Sequence, residues 1–279
     1  MEDITFKRLL RSLLRTVAVV YLVIVLYAFF YGDKVVFQPQ PSSYRDTPEI
    51  IKLHLGDGAI ISAIYLYNRD ARYTILYSHG NAEDIGHLRP MLDEIKDMGF
   101  SVFAYDYRGY GTSSGTSSEK TVYRDADAAY DYVATTLGIP AHRIIALGRS
   151  LGGAVAVDLA HRRQLSGLIV ESSFVTAYRV LTPIPMLPFD KFKSIAKIGN
   201  VHCPVLLIHG KKDEVIPFRH GQRLFEEANE PKRAFWVEGA GHNDLLWVAG
   251  NSYGQALREF VSMIEGNAKK EALRKHKEQ

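Results

Sequence analysis

The run RIIALGRSLGGAVAVDLA, Arg143 to Ala160, constrains this chain more tightly than any other stretch. An apolar, β-branched segment ends at Gly148 and an alanine-rich one begins at Leu151, so a strand must become a helix across a very sharp turn. Ser150 occupies that turn. A residue held there has strained backbone angles, and side chains two positions to either side would collide; Gly148 and Gly152 remove the collision. The hydroxyl then stands exposed at the carboxyl end of the strand. The helix opening at Leu151 aims unpaired N–H groups at the same point, where negative charge can be held. Gly153 allows the helix to pack closely on its strand. The pattern presents Ser150 as a nucleophile.

From Ile50 onward, apolar runs of strand length alternate with segments of helical spacing. IIKLHL and AIISAIYLY, separated by GDG, read as a hairpin. YTILYSHG, SVFAYDYRGYG, RIIALGRS, LSGLIVESSF, PVLLIHGKKD and KRAFWVEGAGH read as strands with their following loops. LRPMLDEIKDMG, VYRDADAAYDYVATTLG, AVAVDLAHR, RHGQRLFEEANE and SYGQALREFVSMIEG read as the helices between and after them. Continuous apolar strands alternating with helices predict one α/β domain, its mostly parallel central sheet covered by helices on both faces.

The N-terminus obeys a different rule. Val17 to Gly32 carries no charge over sixteen residues, and Leu9, Leu10, Leu13, Leu14 and Val17 precede it at helical spacing, with Lys7, Arg8, Arg11 and Arg15 between them. A spanning helix needs about 20 apolar residues, and snorkelling of Arg15 extends this one. The run ends in Phe29, Phe30 and Tyr31 rather than in small residues, so it reads as an uncleaved membrane helix contacting lipid, with a monotopic amphipathic helix, a cleaved signal or a core helix as the alternatives. The basic flank predicts a cytoplasmic N-terminus and a catalytic domain on the other side. FQPQPSSYRDTPE reads as a linker. The expected division is residues 1–32 as a basic amphipathic segment and anchor, 33–49 as linker, 50–266 as the α/β domain, and 267–279 as a charged, solvated tail. A net charge of +3 gives no case for a nucleic-acid partner, and Cys203, the single cysteine, cannot form an internal disulfide.

A serine hydroxyl needs a base, and the base an acid to orient it. Both should follow later strands, in the order serine, acid, histidine. Asp213 lies after PVLLIHG, with neighbouring Glu214 and the strand-terminal Glu171 as alternative acids. His242 lies after RAFWVEG. His54 and His161 fall in a strand and a helix away from that edge. His209 reads as a structural residue and His220 as a helix cap or surface residue. The oxyanion of a tetrahedral intermediate needs two backbone donors. Leu151 N–H is one, and Asn81 N–H in YSHGNAED the other, with Ala82 as the alternative.

YSHGNAEDIGH, AYDYRGYGTSSG, LGRSLGG, LIVESSF, VLLIHGKKDEVIP and VEGAGHNDL, in this order, resemble the serine α/β-hydrolases. They are most similar to the membrane-anchored α/β-hydrolase-domain group that includes protein depalmitoylases. The likeness spans roughly residues 50–264. It implies an α/β-hydrolase fold with a short cap, and a Ser150–His242–Asp213 triad cleaving an acyl ester or thioester. It implies no metal or organic cofactor. It also implies that Asp106 and Arg108 brace loops. The animal depalmitoylases of that group attach through a cysteine-rich, acylated N-terminus; this chain has an apolar helix there instead. Between Val175 and Cys203 there is no room for a large lid, and Met186, Leu187 and Phe189 are candidate acyl contacts. Serine peptidase or amidase chemistry, or a non-catalytic binding module on the same fold, are the competing functions.

Overall fold

The structure is a computed structural model that describes residues 2–182 and 184–277. Met1 of the expected anchor and Glu278 and Gln279 of the expected tail lie outside the described residues. Eight strands form one sheet: β1 (Ile51–His54), β2 (Ile60–Leu66), β3 (Thr74–Ser78), β4 (Ser101–Tyr105), β5 (Ile144–Arg149), β6 (Gly167–Glu171), β7 (Val205–Gly210) and β8 (Lys232–Val237). Their order is β1-β2-β4-β3-β5-β6-β7-β8. β1 and β2 form the antiparallel hairpin, β2 also runs antiparallel to β4, and the remaining pairs are parallel. The chain therefore has the α/β-hydrolase fold. The register aligns Ser78 with Gly148, Arg149 with Glu171, and Gly210 with Val237, so the carboxyl ends of five strands share one edge. That edge carries the site.

Helices cover both faces. α3 (Glu119–Asp131), α4 (Leu151–Arg162) and α7 (Arg219–Glu227) bury Val122, Ala126, Val155, Leu159 and Leu224 on one side. α2 (Arg89–Asp97) and α9 (Asn251–Lys277) bury Leu92, Ile95, Leu257 and Phe260 on the other. α3 starts before the apolar run at Val122, because Ser118 and Thr121 cap it: Thr121 N–H donates to Ser118 Oγ at 3.2 Å and Ser118 N–H to Thr121 Oγ1 at 2.7 Å. α9 runs on without a break to Lys277, through most of the segment expected as a tail. Two four-residue helices, α5 (Tyr178–Leu181) and α6 (Ile195–Ile198), and α8 (Leu245–Ala249) complete the set.

α1 (Glu2–Val36) is the one described helix long and apolar enough to cross a membrane, with a mean hydropathy of 2.3 over its best window, none of it buried. It continues past Gly32 to Val36. Its second half lies against the short cap: Tyr178 OH donates to Ala28 O at 3.2 Å, Tyr21 OH to Met186 O at 3.0 Å, and Lys191 Nζ sits 2.9 Å from Asp33. The stretch read as a linker is not free chain. Phe37 is buried against Phe192, and Ser43 and Tyr44 hydrogen-bond to Asp84 and Asp106 of the domain. Proline and serine keep this segment out of helix and strand, but they leave its backbone and hydroxyl groups available to tie it down.

Candidate active site

The elbow is what the glycines require. Ser150 has φ +54° and ψ −118°, a conformation that costs a non-glycine residue about 1–3 kcal/mol and persists only where its surroundings enforce it. A Cβ on Gly148 would overlap the carbonyl of Gly152, and one on Gly152 would overlap the carbonyl of Ser78. Ser150 N–H donates to Glu171 O at 2.9 Å, and Ser173 Oγ donates to Ser150 O at 2.7 Å. The end of β6 and the loop after it thus hold both the N–H and the C=O of the serine.

Three loops bring partners to it. His242 Nε2 lies 3.1 Å from Ser150 Oγ, and its Nδ1 lies 2.8 Å from Asp213 Oδ2. A carboxylate only accepts, so Nδ1 carries the proton and Nε2 is left to accept from the hydroxyl. Asp213 is itself fastened. Its Oδ1 accepts from Val215 N–H at 3.0 Å and Ile216 N–H at 2.7 Å. Burial alone would raise its pKa, but hydrogen bonds from His209, His242 and Ile216 N–H hold the carboxyl well below the usual range. It stays ionised throughout the neutral range. Glu171, an alternative acid, is engaged elsewhere: Tyr253 OH donates to it at 2.7 Å, and burial pushes its pKa up. Glu214 is exposed, while Asp213 is buried under the histidine.

His209 donates to Ile216 O at 2.9 Å, beside Asp213. His220 is a correction to the expected cap or surface role. It is 3% exposed, and burial, with Arg219 and Arg179 nearby, pushes its pKa down to about 4. His79 is also buried and held neutral by burial; its Nδ1–H donates to Gly80 O at 2.7 Å. Among the described residues no cluster of His, Cys, Asp and Glu could hold a metal ion.

The loop after β3 comes over the serine: a Cβ on Gly80 would stand 3.5 Å from Ser150 Cβ. Asn81 follows in that loop, and Leu151 opens α4, where its N–H has no partner within the helix. Met186, Leu187 and Phe189 lie in the cap segment beside α1. Phe189 packs edge-on against Phe29 at 5.7 Å and near Tyr178, while Met186 is exposed.

A family model described as serine aminopeptidase, S33, matches residues 69–195. The alpha/beta hydrolase domain-containing protein 17B of Xenopus tropicalis is 39% identical over 225 residues, 79% of this chain and 77% of its own length. The 17B protein of Homo sapiens has the same identity and coverage. This chain belongs to the alpha/beta hydrolase domain-containing protein 17 family. In fold, an esterase from Pyrococcus furiosus superposes with a TM-score of 0.68 at 18% identity, covering 81% of this chain and 98% of that one. This member of the 17 family is therefore an α/β-hydrolase by sequence and by architecture.

Sequence reasoning missed what lies beneath the site of this 17-family chain. Arg149, the residue before the serine, is buried, and it ties two loops to the end of β6. Its guanidinium pairs with Glu83 of the Gly80 loop, donates to His242 O at 2.9 Å and to Asn243 Oδ1 at 2.7 Å, and lies 3.6 Å from Glu171. Glu83 in turn accepts from Gly80 N–H at 2.9 Å. The readable signal was a cation inside one apolar strand, Arg149, and an acid ending the next, Glu171. Asp106 and Arg108 brace loops: Arg108 forks onto Asp125 and reaches Asp57, and Asp106 accepts from Tyr44 OH and Ile85 N–H.

Proposed function

We propose that this hydrolase is a membrane-anchored serine esterase or thioesterase that works through an acyl-enzyme. The single observation that carries the reading is the hydrogen-bonded line from Ser150 Oγ through His242 to the Asp213 carboxylate, at a strained strand-to-helix elbow. His242 Nε2 takes the hydroxyl proton as Oγ attacks the acyl carbonyl. Asp213, ionised and held by two backbone N–H groups, keeps the imidazole oriented and stabilises its cation. The N–H groups of Asn81 and Leu151 receive the oxyanion, a donor of this kind contributing about 10²–10³ in kcat. His242 then protonates the leaving alcohol or thiol. Water, activated by the same nitrogen, releases the acid and restores Ser150.

The apolar α1 anchors the enzyme in the bilayer, with the basic flank cytoplasmic and the catalytic domain beyond the membrane. Its contacts with the cap bring the segment carrying Met186, Leu187 and Phe189 against the second half of that helix, which suits acyl lipids or acylated proteins as substrates. kcat/KM for p-nitrophenyl esters from acetyl to palmitoyl, with Ser150→Ala as blank, tests this. A maximum at long chains and a dead Ser150→Ala are expected. A maximum at acetyl removes the acyl-lipid assignment, and turnover by Ser150→Ala removes the triad. Protease protection of the C-terminus tests the side of the membrane.

A second reading, amide cleavage by the same triad, draws on the aminopeptidase description of the matching family model. Aminoacyl p-nitroanilides turned over faster than any ester would select it.

A further inference from the structure

We infer that the strap leaving α1, Val36 to Tyr44, is a positioning element for the oxyanion loop, with the Asn81 side chain as its clasp. The inference rests on the reading of Asn81 N–H as an oxyanion donor.

The Asn81 amide is engaged at three points, and two of them are on the strap. Its Nδ2 donates to Val36 O, on the last residue of α1, at 2.7 Å. Its Oδ1 accepts from Gln38 N–H at 3.0 Å and from Tyr110 OH at 2.6 Å. The strap holds the rest of the loop as well. Ser43 N–H donates to Asp84 Oδ2 at 2.7 Å, and Ser43 Oγ bonds the other oxygen of that carboxylate. Tyr44 OH donates to Asp106 Oδ2 at 2.6 Å, and Asp106 Oδ1 accepts from Ile85 N–H at 2.9 Å. At Gly86 a Cβ would meet Tyr44 and Ser43 side-chain atoms at 2.7 Å, so strap and loop are in direct contact.

The loop needs such a restraint. Ala82, directly after Asn81, has φ +59°, a left-handed conformation unfavourable for a side chain. On the inner side the loop is held through Gly80 N–H and Glu83, and on the outer side by the strap. An oxyanion donor acts only if it is held where the charge develops, and a displacement of about 1 Å costs roughly 10²-fold. The strap begins on the last turn of the apolar helix, so the membrane attachment and the oxyanion loop are joined through two residues.

The test uses the full chain in detergent micelles, with kcat expressed per active site titrated by the acyl-enzyme burst. Asn81→Ala removes the clasp but keeps the backbone donor, and Gln38→Pro removes one N–H of the tie. Each should lower kcat per site by about 10-fold to 100-fold with KM within about twofold, the pattern of an interaction made only in the transition state. Gln38→Ala keeps the N–H and should restore kcat. A purely structural role would instead lower the number of titrated sites and leave kcat per site unchanged, and that result overturns the inference. Should Asn81→Ala not fold, Ser43→Ala and Tyr44→Phe each remove one outer bond; unchanged kcat per site in both overturns it equally. Turnover by Ser150→Ala would sink the triad reading itself, whatever the strap variants do.

Discussion

The elbow edge of the sheet and the α1–cap face are built by opposite means. At the elbow nearly every polar group is buried and bonded: Arg149, Glu171, Asp213, His242 and His79 are each under 10% exposed and each has a named partner. At the cap, α1 contributes side chains that are mostly exposed, and its ties to residues 178–191 are a few hydrogen bonds, one ring contact and one ion pair. Low dielectric makes each unmet group at the elbow costly, so its geometry is over-determined. The cap face carries exposed apolar side chains, Phe29, Phe30 and Met186 among them. The elbow and the proposed attachment face thus differ in how fully their groups are bonded.

The sharpest way to break that contrast is Asp213→Asn. The amide would favour the wrong tautomer of His242, and kcat should fall by about 10⁴ while the protein stays folded. A loss under tenfold, read by single-turnover kinetics, would mean Asp213 does not orient the base. Arg149→Met should come next. It leaves Glu83 and Glu171 without their cation and frees the His242 loop, and breaking a buried pair costs about 3–5 kcal/mol. Urea unfolding within 1 kcal/mol of the parent would show that the buried network is dispensable.

Asp106 gives a pH-dependent version of the same contrast. Burial pushes its pKa up to about 7, despite the hydrogen bonds from Tyr44 and Ile85. Its folded-state value exceeds the unfolded one, so the folded form holds the proton more tightly between about pH 4 and 7. Its contribution is full below that window and is lost as pH rises through 7, with a slope of at most about 1.4 kcal/mol per pH unit. Asp106→Asn should flatten this part of the stability curve, measured by urea melts at pH 5 and pH 7.5. An identical slope in the variant would refute it. Smallest of all, Lys191→Ala breaks the partly exposed pair with Asp33 and should cost under about 1 kcal/mol. A change in Tm of more than about 5 °C would place the cap among the stiff parts of the molecule.

Much of the elbow was legible because its causes are local. Gly-x-Ser-x-Gly between a β-branched run and an alanine-rich one has few solutions, and the strand-end loops nominated Asp213 and His242 in order. The helix start at Ser118 was equally local, yet it was passed over because the apolar pattern begins only at Val122. The contacts of the strap were not legible for another reason: prolines exclude regular structure, but nothing in them says whether the chain lies on a surface.

The sequence by itself determined the α/β alternation, the elbow and a helix with a sixteen-residue uncharged stretch ahead of the domain, since periodicity and backbone sterics act within a few residues. Tertiary structure decided which carboxylate meets His242, that Arg149 ties two loops to the end of β6, and that Asn81 is clasped by residues more than 40 positions earlier. These depend on groups far apart in the chain coming within about 3 Å of each other, and only the register of the sheet and the packing of its loops set such distances.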